Sequence, residues 1–110
     1  MKKIDQETQE KIQQLQIFEQ NLQNFLLQKQ AFHMELSETE NSLKEIENTK
    51  DDVYKLVGQV MIKASRQELE KDFKQKIDLL NLRMKSIDKQ ENRLKEEIEK
   101  LREEVMKRIK

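Results

Sequence analysis

Apolar residues recur every three or four positions through the first 46 residues of the chain. Stepping alternately by four and three from Ile4 gives thirteen positions, nine of which are apolar. These positions are Ile4, Thr8, Lys11, Leu15, Phe18, Leu22, Phe25, Lys29, Phe32, Leu36, Thr39, Leu43 and Ile46. Such an a/d heptad pattern is typical of helices that wind around a partner helix as a coiled coil.

The last third of the chain carries the same pattern. Ser65-Arg66-Gln67-Glu68 has the S-x-x-E order of a capping box, so we expect a helix to begin there. Eight of the ten seam positions that follow are apolar: Ile77, Leu80, Met84, Ile87, Glu91, Leu94, Ile98, Leu101, Val105 and Arg108. The two patterns predict helices at about 3–49 and 66–109, within a single domain of residues 1–110.

The segment VYKLVGQVMIKAS, which begins at Val53, has a different pattern. It contains the only glycine and the only tyrosine of the chain and is rich in β-branched residues. Gly58-Gln59 lies between two five-residue flanks, and glycine is the residue that a type II′ turn requires at its first central position. A single β-hairpin at 53–64 would reverse the chain between two helices of nearly equal length. The predicted fold class is therefore mainly α, a long antiparallel two-helix coiled coil joined by a single central β-hairpin.

This hairpin is not expected to remain alone. Both of its faces carry apolar side chains, and a two-stranded hairpin with open edges is marginally stable in water. We expect hairpins of several subunits to join edge to edge into a larger sheet or barrel; the alternative is that the hairpin folds back on its own helices. The residues assigned to assembly are Val53, Tyr54, Leu56, Val57, Gly58, Val60, Met61 and Ile62.

The composition of the chain excludes or disfavours several classes of function. The 22 basic and 22 acidic residues give a net charge of zero, which disfavours nucleic acid as the main partner. No apolar run is long enough to span a membrane, and MKKIDQETQEKIQQ lacks the apolar segment of a signal peptide, so a cytoplasmic location is expected.

Catalytic chemistry is not expected either. Without cysteine and with one glycine, the chain has no thiolate metal site, disulfide or phosphate-binding loop, and we predict no cofactor and no enzymatic activity. His33 is interpreted as a solvated surface residue. Lys29 and Glu91 lie on the seam, where they either form a partly buried pair or, as the preferred interpretation, the lysine extends to solvent.

The hairpin and the matched helices together resemble a known family. VYKLVGQVMIKASRQELEKDFKQKIDLLNLRMKSIDKQENRLKEEIEKL, where the hairpin leads into the second helix, is similar to prefoldin beta-type subunits, most of all the archaeal form. The Gln-rich QLQIFEQNLQNFLLQKQ resembles the first helix of that family. A single hairpin fits the beta type, since the alpha type has two.

The resemblance implies a heterohexamer of two alpha-type and four beta-type subunits, whose hairpins form a double β-barrel platform. It also implies an ATP-independent chaperone that captures unfolded client proteins and delivers them to a group II chaperonin. The positions that match the client-binding tips of the coiled coils are Ile4, Ile12, Leu101, Val105, Met106 and Ile109.

A rival hypothesis is a structural scaffold or tether without client binding. In that case two chains would run parallel, and residues 53–64 would merely interrupt the coiled coil.

Overall fold

The computed structural model describes residues 5–109, so Ile4 lies outside the described residues. The elements, in chain order, are helix α1 (Gln6–Asn48), strand β1 (Val53–Val57), strand β2 (Val60–Ala64) and helix α2 (Arg66–Ile109). This arrangement of two long helices joined by one antiparallel hairpin confirms the predicted fold class. The reversal at mid-length also excludes the parallel arrangement of the rival hypothesis, but it does not test whether the chain binds clients or acts as a scaffold.

The chain divides into two compact units. The helix-end unit contains α1 up to Gln30 and α2 from Lys85, and the hairpin unit runs from Ala31 to Met84. Two contacts in each unit show that the helices run antiparallel, because residues later in α2 meet residues earlier in α1. In the helix-end unit, Arg102 of α2 lies 2.8 Å from Glu19 of α1, and Arg108 pairs with Glu7. In the hairpin unit, Lys76 of α2 lies 3.1 Å from Glu35 of α1, and Arg66 donates to the carbonyl oxygen of Ile46.

The predicted seam is the core of both units. Leu69 and Leu80 are buried in the hairpin unit, where Leu80 retains only 2% of its exposed surface. In the helix-end unit the buried apolar residues are Ile87, Leu94, Ile98, Leu101 and Val105. The facing seam residues of α1 are mostly half-buried. Heptad spacing therefore lets each helix remove one apolar stripe from water, which is the main favourable contribution to the pairing.

Two threonines continue the seam of α1 without leaving polar atoms unsatisfied. Thr39 is buried, and its Oγ1 donates a hydrogen bond of 2.7 Å to the carbonyl oxygen of Glu35 in the same helix. Thr8 is also buried, close to the start of α1. Its backbone N–H donates to Asp5 Oδ1 at 2.8 Å, so Asp5 is the N-cap of the helix. The seam thus continues close to the start of α1 instead of weakening there.

Lys29 and Glu91 form the partly buried pair, which corrects the preferred interpretation of a lysine that only extends to solvent. Lys29 Nζ lies 3.1 Å from Glu91 Oε2 and 2.8 Å from Asp88 Oδ1. Lys95 Nζ lies 2.9 Å from the other oxygen, Glu91 Oε1. The contact of Oε2 with Lys29 is an ion pair without hydrogen-bond geometry, since this oxygen has no hydrogen-bond partner. The ammonium groups of Lys95 and, second, of Lys29 lower the pKa of Glu91, against the opposing effect of burial.

Leu80 should contribute far more to stability than its exposed neighbour Leu82. We expect Leu80→Ala to reduce the free energy of unfolding by about 3 kcal/mol, because it removes buried methyl groups and leaves a cavity. Leu82 is 65% exposed, so Leu82→Ala should change stability by less than about 0.5 kcal/mol. Urea unfolding followed by circular dichroism at one protein concentration measures both. Equal losses in the two variants would contradict the assigned seam.

Glu91 should make stability depend on pH in the acid range. Its pKa is lower in the folded chain than in the unfolded chain, so its stabilising effect is present above the unfolded value of about 4.3 and is lost as pH falls through the folded value. We expect Glu91→Gln to be less stable than the wild type at pH 7, and the difference to shrink as the pH falls below the unfolded pKa of Glu91. Urea unfolding across this range tests the prediction, with Glu96→Gln on the exposed face of α2 as the control. A difference that does not change with pH would refute it.

Candidate functional site

The hairpin has the predicted register and turn. Val57 pairs with Val60, Leu56 with Met61, and the pairing continues to Val53 with Ala64. Gly58 has a φ of +61° and is the only described residue with a positive φ, as a type II′ turn requires of its first central position. A Cβ at Gly58 would meet nothing within 4 Å. The backbone conformation, not a lack of space, therefore requires glycine here.

Both faces of the hairpin are open to solvent in the single chain. Val57, Val60 and Ile62 lie on one face, and Tyr54, Leu56 and Met61 on the other, by the alternation of side chains along a strand. All six side chains are 51–68% exposed, while Val53 is half-buried. The hairpin therefore does not fold back onto the helices of its own chain. Exposed apolar surfaces of this kind are typical of interaction sites.

An open cleft extends this surface within the hairpin unit. It has a volume of about 880 Å³ and lies between β1 and the adjoining parts of α1 and α2. Its apolar lining comes from Ile46, Val53, Leu69 and Phe73, among others. Tyr54 and Leu56 of the hairpin also line it, so apolar side chains of the strand and of both helices share one cleft, with polar residues such as Asn41, Glu45 and Asp72 among them.

The start of α2 is capped as the sequence predicts. The backbone N–H of Glu68 donates to Ser65 Oγ at 3.4 Å, and the N–H of Leu69 donates to the Ser65 carbonyl oxygen at 3.0 Å. Ser65 is the only residue between β2 and α2. The hairpin is consequently followed at once by a rigid helix.

The predicted tip residues fall into three groups. Met106 and Ile109 are exposed at 57% and 45%, and Ile12 is half-buried. Leu101 and Val105 are buried in the seam, where they pack between the helices. Ile4 lies outside the described residues. Of the predicted tip residues within 5–109, Met106 and Ile109 are thus the most exposed.

Ion pairs hold the two helices together beside these residues. Lys11 Nζ lies 2.6 Å from Glu104 Oε2, and Arg108 lies 3.0 Å from Glu7 Oε1. The hydrogen bond from Lys11 lowers the pKa of Glu104. Hydrogen bonds from Thr8 likewise lower the pKa of the Asp5 carboxyl. Met106 and Ile109 therefore lie on a segment of α2 that is linked to α1 by ion pairs.

Two features of these surfaces escaped the sequence interpretation. The Asp5 cap has a readable signal, an aspartate directly before a helical pattern. The contacts of Arg66 have no readable signal in the sequence, because its partners are backbone carbonyl groups that no side-chain pattern reveals.

The described residues form neither a candidate metal site nor a membrane-spanning helix. Within residues 5–109, no three His, Cys, Asp or Glu side chains are grouped so that they could hold a metal ion. Neither α1 nor α2, over the part of the chain that the structure describes, is apolar enough over sufficient length to cross a membrane.

Comparisons with known proteins agree on one family. The family described as "Prefoldin subunit" matches residues 9–110. A "Prefoldin subunit beta" from Thermococcus kodakarensis is 35% identical over 103 residues, which cover 92% of this chain and 88% of the relative. Another from Pyrobaculum islandicum is 37% identical over 111 residues, with 99% and 89% covered. The crystal structure of the prefoldin beta subunit from Thermococcus strain KS-1 has a TM-score of 0.86 and 33% identity, with 97% of this chain and 96% of that chain covered.

Proposed function

This chain belongs to the prefoldin subunit family, as a beta-type member, and on that premise we propose that it captures non-native proteins without ATP and delivers them to a group II chaperonin. The observation that carries the proposal is the exposed apolar hairpin, because a chain that remained a monomer would leave this apolar surface in water. The proposal has two parts, assembly through the hairpin and client capture at the helix ends.

Assembly uses residues 53–64. Two strands leave one open edge each, and their backbone groups can pair with the edges of neighbouring hairpins. The six exposed side chains on the two faces would then be buried in a shared β-barrel platform. The family implies two alpha-type and four beta-type subunits in the complex, so the partner is an alpha-type subunit together with further copies of this chain.

Charges on the hairpin should prevent this assembly. Leu56 and Met61 face each other across the strands, and the double variant Leu56→Lys, Met61→Lys would place two like charges in the buried platform. We expect the affinity for an alpha-type subunit to fall at least about 100-fold, measured as loss of the hexamer mass in native mass spectrometry over a dilution series.

The matched control is Leu82→Lys, which adds charge at a similarly exposed leucine of α2 outside the hairpin. A double variant that still forms the hexamer at wild-type concentrations would contradict assembly through the hairpin.

Client capture uses the helix ends. Met106 and Ile109 offer flexible apolar side chains, and apolar attraction demands no particular client sequence. Leu101 and Val105 are buried beneath them and contribute to client capture by packing α2 against α1. Where the two helices separate, Leu101 and Val105 would contact the client directly. Two exposed side chains bind weakly alone, and several such ends on one platform would bind one client by avidity.

Charges at the helix ends should abolish capture while leaving the complex intact. We expect the assembled complex with Met106→Lys and Ile109→Lys to lose most of its suppression of aggregation of a chemically denatured protein, because the apolar contact is removed. Light scattering after dilution from denaturant measures this, and native mass spectrometry verifies the hexamer.

The control is the double variant Ile17→Lys, Leu27→Lys, which adds the same charge at comparably exposed residues of α1. Full suppression by the Met106 and Ile109 variant would refute the tip assignment. It would leave a structural scaffold as the remaining hypothesis.

A further inference from the structure

The hairpin is connected to its two helices unequally. Ser65 alone separates β2 from α2, whereas four residues, 49–52, separate α1 from β1. A four-residue linker has many backbone conformations, and ordering each residue costs conformational entropy. The direction in which the hairpin leaves the helices therefore depends on what holds residues 49–52 in place.

Arg66 holds this linker. Its Nη1 donates hydrogen bonds to the carbonyl oxygens of Ile46, at 2.8 Å, and Thr49. Its Nη2 donates to the carbonyl oxygen of Asp51 at 2.7 Å. One guanidinium at the start of α2 thus joins the last turn of α1 to the linker that precedes β1. The ion pair of Asp52 with Lys63, at 3.5 Å between two exposed side chains, contributes little by comparison.

The end of α1 benefits from a cation that its own sequence lacks. The last carbonyl groups of a helix have no partner within the helix and carry partial negative charge. The last turn of α1 contains no basic residue. Arg66, twenty residues further along, donates to the Ile46 carbonyl there.

Arginine is otherwise a poor choice at this position. Arg66 is the first residue of α2, where the helix dipole repels a positive charge. A residue that breaks a local rule is usually retained for another purpose. The planar fork of a guanidinium can serve three carbonyls at different points, whereas the single nitrogen of lysine cannot span them.

We propose that Arg66 is the positioning residue for assembly, which clamps residues 46–51 and so fixes the direction of the hairpin relative to the helix ends of its own unit. The inference rests on the proposed function, because a fixed direction matters only if hairpins must meet partner hairpins. Without the clamp the linker is held less tightly, by the hydrogen bonds of Thr49 with Glu45 and Asp51. A partner can then use only the fraction of chains whose hairpin has the right direction.

The test uses Arg66→Met, which keeps the aliphatic stem, Arg66→Lys, which keeps the charge, and Arg83→Met as a control elsewhere on α2. Spin labels at Gln59→Cys and Lys71→Cys, both in the hairpin unit of a chain that has no native cysteine, report the hairpin direction in the unassembled subunit. Native mass spectrometry with an alpha-type subunit reports assembly, and circular dichroism verifies that the helices remain folded.

We expect Arg66→Met to broaden the distance distribution and to weaken assembly by about tenfold or more. Arg66→Lys should recover little of either property, and Arg83→Met should behave as the wild type. A wild-type distribution or wild-type assembly in Arg66→Met would overturn the proposal, and so would full recovery in Arg66→Lys, since charge alone would then suffice. The Leu56→Lys, Met61→Lys double variant separates this proposal from the proposed function. If Arg66→Met assembles normally and the double variant does not, only the role of Arg66 is wrong. If the double variant also assembles normally, the proposed assembly through the hairpin is wrong.

Discussion

The reversal of the backbone at Gly58 and Gln59 determines which residues can meet. The turn takes two residues, with a positive φ at Gly58 alone, and this places Val57 opposite Val60. Every later pair in the strands follows from that count, because strand pairing has no freedom to skip a residue without a bulge. The reversal also leaves a ribbon of only two strands, whose apolar side chains stay exposed in the single chain. The turn that sets the strand pairing thus also leaves an apolar surface that assembly would remove from water.

The seam between the helices contributes to two properties, the stability of the pairing and its register. Leu80, Ile98 and their neighbours supply apolar burial, which alone would tolerate a shift by one heptad. Glu91 does not tolerate it, because the shift would remove Lys29 of α1 and leave the buried carboxylate with Lys95 of its own helix as partner, without full compensation for its desolvation. Polar residues at single seam positions are the best-attested means of fixing register in coiled coils. Lys29 and Glu91 are well placed for that role here.

Most of the fold could be predicted from the sequence because it rests on local rules. Heptad spacing, the Ser65 capping box and the single glycine each act within a few residues, and the structure agrees with all three. Features that depend on three-dimensional proximity were harder to predict. The choice between a solvated Lys29 and a pair with Glu91 depends on the distance between two helices, and the contacts of Arg66 are made with backbone atoms. The tip residues were assigned from their match to the family, although the heptad pattern already places Val105 on the seam and Met106 off it, in agreement with their burial in the structure.

The spacing of contacts along the chain has a consequence for how the molecule folds. Partners are 83 residues apart for Glu19 and Arg102, 93 for Lys11 and Glu104, and 101 for Glu7 and Arg108, while the hairpin loop has two residues. Closing the longest of these loops directly would require a large excursion of the chain. Once the hairpin has formed, however, each layer of the seam brings the next layer close, so every further contact closes only a short additional loop. A chain with very distant contacts can therefore fold with the kinetics of a local structure, zipping from its turn outward.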